Sequence, residues 1–163
     1  MAINVTKPSV NLREKLNELD YDKVPFQKMP AGSVLQVVEC ETYSDLYTSS
    51  TTPVTAFTLN ISPKSESSKI VVACQGGKMN FNTSGTSQHL YSIWRNDVQV
   101  GSLPVWADSG NYDLPLNIIA TDSPNTTSTI SYHLKGAVSS GAGWIIHATA
   151  TYVPVFYAME IAQ

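Results

Sequence analysis

The chain has 163 residues, 42% of them apolar, which suits one domain with a sizeable core and an appendage. A formal net charge of -3 excludes the basic footprint of a nucleic-acid binder and a polybasic membrane patch. No run approaches the ~18 apolar residues of a spanning helix, and the opening MAINVTKPSV lacks the apolar stretch of a secretory signal.

Residues 1–28 hold nine of the 23 Asp, Glu, Lys and Arg side chains, and residues 29–163 hold the other fourteen. The shift falls at QKMPAGS, where Pro30 and Gly32 also punctuate the chain. We therefore divide the sequence into an N-terminal attachment segment, 1–28, and a β domain, 29–163. Within the first, residues 11–20 (NLREKLNELD) read as a short helix. Asn11 can cap it, with Glu14 in capping-box position. Leu12, Leu16 and Leu19 then make one narrow apolar stripe. A helix of about ten residues is marginal alone in water, so the stripe needs a surface to press against.

From Val34 the period changes to two. VLQVVEC is a strand candidate, and TAFTLNI alternates, with Thr55, Phe57, Leu59 and Ile61 on one face and Ala56, Thr58 and Asn60 on the other. SPKSESS reads as a polar turn. KIVVAC is a continuous apolar run, as in a strand covered on both sides. CQGGK, residues 74–78, lacks the spacing of a phosphate loop and reads as a turn. HLYSIW and VQVGSL flank a hairpin turn at RND. Later strand candidates are LPLNIIA, STISYHLKGA, GWIIHATATY and FYAMEI, with breaks at ADSGNYD, TDSPNTT and VSSGAG. About nine short strands separated by turn residues predict an all-β antiparallel sandwich or jelly roll.

Chemistry-bearing patterns are sparse. Cys40 and Cys74 read as small buried hydrophobes, since a bridge would require neighbouring strands. His89, His133 and His147 lie in separate strand-like segments with no metal spacing. Asp108, Asp113 and Asp122 read as loop aspartates that make turns. No catalytic residue, metal ligand or cofactor is expected. Trp94 and Trp144 read as core. Trp106 precedes the ADSGNYD break, where it, Asp108 and Tyr112 are the candidates for a receptor or subunit contact.

Five segments, MPAGSVLQVVE, TAFTLNISPKSESSKIVV, SIWRNDVQVG, TDSPNTTSTISYHLK and the ending FYAMEIAQ, resemble in order a family of virion proteins from tailed phages, marine ones especially. The resemblance covers residues 29–163 and rests on the order and spacing of the motifs. KPSVNLREKLNELDYDKVPFQKMP is similar to the leader of phage appendage proteins. The resemblance implies a trimeric, tumour-necrosis-factor-like jelly roll, without enzymatic activity, acting as a tail fibre, knob or capsid decoration of a virion assembled in the host cytoplasm. Its partners would be its own copies and other virion proteins of the capsid, portal, tail or fibre. Leu12, Leu16 and Leu19 would make the virion or subunit attachment. A host-attachment role, with the loops at the sandwich end binding a surface glycan or protein, is the alternative. Apolar stretches such as YVPVFYAMEI hold more strand surface than one sandwich core needs, and three-fold packing about an axis would bury it and cover exposed edges.

Overall fold

A computed structural model describes residues 25–83, 87–108, 110–139, 142–147 and 153–163. The expected helix over 11–20, with Leu12, Leu16 and Leu19, lies outside the described residues. After a 3-10 turn at Phe26–Lys28, ten strands are present among them. They are β1 (Val34–Glu39), β2 (Leu46–Thr48), β3 (Val54–Ile61), β4 (Lys69–Thr83), β5 (Ser87–Arg95), β6 (Val98–Ala107), β7 (Gly110–Asp122), β8 (Ile130–Val138), β9 (Ala142–His147) and β10 (Pro154–Ile161).

Their pairing follows one rule. β1 pairs with β10, β2 with β9, β3 with β8, β4 with β7 and β5 with β6, all antiparallel. The chain is thus one long hairpin whose tip is the Asn96–Asp97 turn, where Asn96 takes a positive φ of 49°. Rolling that hairpin adds the ladders β10–β4, β9–β4 and β5–β8. Two sheets result. Sheet one runs β1-β10-β4-β7, with β9 and β2 continuing from the far half of β4. Sheet two runs β3-β8-β5-β6. Nested ladders rolled into two facing antiparallel sheets are a jelly roll, as expected.

The alternation expected of TAFTLNI is realised from Phe57 on, where Phe57, Leu59 and Ile61 are buried, whereas Thr55 is exposed because the register with β8 shifts between Thr55 and Phe57. They meet Ile70, Val72, Cys74, Phe156 and Ala158 of sheet one, beside Tyr91, Ile93, Tyr132 and Leu134 of sheet two. Each large apolar side chain buried this way contributes about 1.5–3 kcal/mol. KIVVAC is covered on both sides only in part, because Val71, on its outer face, is half-buried while Ala73 is buried.

Three readings of the sequence need correction. CQGGK is a bulge within the continuous strand β4. Gly76 and Gly77 have φ of 78° and 65°, and the register with β7 slips between Gly76 and Met79. A Cβ on Gly76 would stand 2.9 Å from the Val153 carbonyl oxygen, so both torsion and space favour glycine. At this bulge β4 changes neighbours, since β10 ends opposite Gly76 and β9 begins opposite Lys78. ADSGNYD is mostly strand, because β6 runs to Ala107 and β7 starts at Gly110. There the chain crosses between sheets, and the close approach of β6 to β7 requires Gly101, where a Cβ would lie 2.7 Å from that of Ala120. Finally, β2 spans Leu46–Thr48, where the sequence offers no strand candidate.

The outermost ladder is closed by a buried carboxyl group. Glu160 of β10 is fully buried. Its Oε1 accepts the backbone N–H groups of Lys64 at 2.7 Å and Ser65 at 3.2 Å, in the polar turn between β3 and β4. Its Oε2 accepts Gln36 Nε2 of β1 at 2.6 Å, and the same amide donates to the Ser62 carbonyl at 2.8 Å. One side chain thus ties both ends of the β domain to the β3–β4 turn.

Cys40 and Cys74 are free and buried. Cys40 donates its N–H to the Phe156 carbonyl at 2.8 Å, and Cys74 faces Phe156 from the other side of β10. Two strand spacings, roughly 9.6 Å, exceed the ~7 Å limit for a disulfide. Burial pushes the Cys74 thiol up to about 12, which leaves it unreactive.

Glu160→Ala should strand two backbone donors and an amide in the interior and destabilise the domain by about 3 kcal/mol. Urea unfolding followed by circular dichroism would measure it, and a loss below about 0.5 kcal/mol would contradict the assigned role.

Candidate functional site

The three candidate contact residues come from the crossing between the sheets. Trp106 stands one residue from the end of β6, opposite Gln88 of β5, and is 66% exposed. It shares the outer face of sheet two with exposed Pro104 and half-buried Leu90. Asp108 follows β6 directly and is exposed. Tyr112 belongs to β7 in sheet one, opposite Phe81 of β4. Trp106 and Tyr112 therefore sit on different sheets and share no loop, although the same crossing positions both.

This crossing lies at one end of the sandwich. At the other, Arg95 Nη1 of β5 reaches both carboxyl oxygens of Asp122 of β7 at 3.0 Å. The Tyr132 hydroxyl of β8 donates to Asp122 Oδ2 at 2.7 Å, so one carboxylate links the two sheets. Val34, Lys69 and Ile161 mark the same end through the β1–β10–β4 register, as does the Asn96–Asp97 turn beside Arg95. The chain preceding Val34 thus enters at this end. Trp106 stands eight residues along β6 from Val98, or roughly 26 Å away at strand rise.

Asp108 lies between β6 and β7 as its loop reading expects, whereas Asp113 and Asp122 differ from theirs. Asp122 ends β7. Asp113 lies within it, paired with Lys78 of β4 at 2.8 Å and accepting Asn80 Nδ2 at 2.7 Å. Trp94 also differs from its reading as core. It lies on the outer face of sheet two, with Lys135 Nζ 4.4 Å from its ring centroid and its Nε1–H donating to Ser92 Oγ at 2.8 Å. The side chain of Trp144 is outside the described residues.

The histidines are dispersed. His89 of β5 points into the core and is fully buried. His133 of β8 faces outward with Nδ1 2.8 Å from Thr58 Oγ1, and its pKa is lowered by desolvation and by Lys135. His147 ends β9. Among the described residues no three His, Cys, Asp or Glu side chains converge as metal ligands.

The outer faces of the two sheets contrast. Sheet two presents Thr58, Asn60, Ser131, His133, Lys135 and Ser102, with its apolar members Trp94, Leu90, Pro104 and Trp106 on β5 and β6. Sheet one presents exposed Val34, Val37, Ile119 and Val155, with half-buried Val71, Tyr157, Met159 and Ile161 between them. Sequence reasoning registered the apolar excess of YVPVFYAMEI but not its placement. Alternation along β10 sends Phe156 and Ala158 inward and Val155, Tyr157, Met159 and Ile161 outward.

No protein-family model matches this chain, and no curated protein does. A chain in a solved structure of the infectious bursal disease virus Gt strain aligns with it at a TM-score of 0.38 and 19% identity. The alignment covers 81% of this chain and 38% of that one, so this chain spans well under half of that neighbour's length.

Burial lowers the His89 pKa from 6.5 to about 4. The unfolded chain takes up a proton between those values that the folded chain refuses. Stability from this group is thus complete above pH 6.5 and lost as pH falls toward 4. The loss totals about 3 kcal/mol at about 1.4 kcal/mol per pH unit. Urea midpoints at pH 7 and pH 4.5 should show the drop, and His89→Phe should remove most of it. An unchanged pH dependence in that variant would contradict the assignment.

Proposed function

We propose that this chain is a non-enzymatic structural protein of a virus particle, a fibre, knob or capsid decoration of a tailed phage, fixed by residues 1–28. The observation that carries this reading is the polarity of the fold. The chain enters β1 at the Val34 end, and exposed Trp106 and Asp108 lie at the opposite end. Such a domain can be held at one end and present the other. The ordered sequence resemblance over residues 29–163 supports the same reading. Several polar groups within the fold are engaged in holding it together, Glu160 on a turn and Asp122 between the sheets.

A second reading, host attachment, is favoured by one observation. Trp106 keeps 66% of its surface open beside an acidic side chain, as a platform for a glycan or protein would.

Changing Leu12, Leu16 and Leu19 to Ser should remove the protein from purified virions while the β domain stays folded. Undiminished incorporation would rule out the Leu stripe as the anchor. For host attachment, the soluble protein should compete with phage for host cells, and Trp106→Ala should weaken that competition roughly tenfold, in the range of an interface hot spot. Failure of the unmodified protein to bind cells would eliminate this second reading.

A further inference from the structure

The outer face of sheet one can be laid out from its registers. Along β10 it shows Ile161, Met159, Tyr157 and Val155 in order. Val34, Val37 and Glu39 of β1 flank the first three of these, and Lys69, Val71, Ala73 and Gln75 of β4 flank all four on the other side. Thr121, Ile119 and Asn117 of β7 lie beyond Val71, Ala73 and Gln75. The centre of the patch is apolar, and its most exposed members are Val37 at 58% and Ile119 at 64%.

We propose that this face is the contact surface between copies of this chain. The inference deepens the structural reading above and rests on it for its setting. Four strands at ~4.8 Å spacing and eight residues at ~3.3 Å rise give about 500 Å² of flat area. That area, polar margins included, is over half of the ~800 Å² each partner buries in a stable complex. The charges favour a second copy as occupant. Within this layout the charged residues are Glu39 and Lys69, at diagonal corners with Met159 midway between them. A second copy turned about the in-plane two-fold axis that passes through Met159 perpendicular to the Glu39–Lys69 line sets each Glu39 over the other's Lys69, so the face is complementary to itself. The contact is two-fold, unlike the three-fold packing that the resemblance implies. An anionic membrane or nucleic acid would meet a single lysine here.

Light scattering and sedimentation of the full chain test this directly. The unmodified protein should exceed its monomer mass of 17.7 kDa. Val37→Asp with Ile119→Asp should reduce it to that mass with the circular dichroism of the folded domain intact. Val98→Asp, on exposed β6 of sheet two, should leave the assembly unchanged. Glu39→Lys should weaken association roughly tenfold through like charges, and adding Lys69→Glu should recover it. A monomeric unmodified protein, or an assembly that survives the double Asp substitution, would overturn the proposal. Failure of the charge exchange to restore association would overturn the Glu39–Lys69 pairing. If the unmodified chain is monomeric and deleting residues 1–24 speeds hydrogen exchange on this face, the face belongs to the leading segment instead. Incorporation into virions is read separately, so a monomer would sink this inference without deciding the particle role.

Discussion

The jelly roll depends on closing its outermost ladder. Five nested antiparallel pairs can form from the Asn96–Asp97 turn outward, each shortening the gap the next must bridge. The last pair joins residues more than 100 positions apart, such as Val37 and Met159. Glu160 sits inside that ladder, buried, and is satisfied by donors from the β3–β4 turn and from β1. A buried carboxyl group is costly unless its hydrogen bonds are met, so the register that meets them is strongly preferred over a slipped one. The same register places Phe156 and Ala158 in the core and Tyr157 and Met159 outside.

The two outer faces follow from that register. A sandwich whose role ended with its own core would carry polar side chains outside on both sheets. Sheet two does so across much of β3 and β8, with half-buried Trp94 under Lys135, and shows exposed Trp106 and Val98 along its β6 edge. Sheet one carries valine, isoleucine, methionine and tyrosine outside, where solvated strands ordinarily alternate with polar residues. Contact between copies would relieve that exposure. The domain also has two distinct ends, with the Asp122–Arg95–Tyr132 link and the entry of the chain into Val34 at one and Trp106 at the other.

Much of this architecture was legible where local chemistry decides the outcome. TAFTLNI shows its buried face because β3 is covered on one side only, and RND marks the hairpin because Asn tolerates a positive φ. The misreadings share a cause, namely that the deciding contact is distant in sequence. A Gly-Gly pair looks the same in a turn and in a bulge, and only the handover from β10 to β9 makes it a bulge. Trp94 sits in an apolar run, but its parity against Tyr91 and Ile93 sends it outward. ADSGNYD has turn composition, yet most of it continues two strands past the end of the core. The roles of Glu160 and Asp122 were invisible, since each depends on partners brought by other strands. Of the candidate contact residues, Trp106 was found through its position before a turn signal, and its exposure agrees with that reading.

A jelly roll held at one end and presented at the other, with copies meeting through sheet one, would have a fixed orientation on a particle. Imaging purified particles at a resolution that places this chain tests all three parts together. The account predicts the Val34 end against the particle, Trp106 pointing outward, and Val37 and Ile119 at the contact between copies. A chain seated by its Trp106 end, with the outer face of sheet one open to solvent, would contradict it.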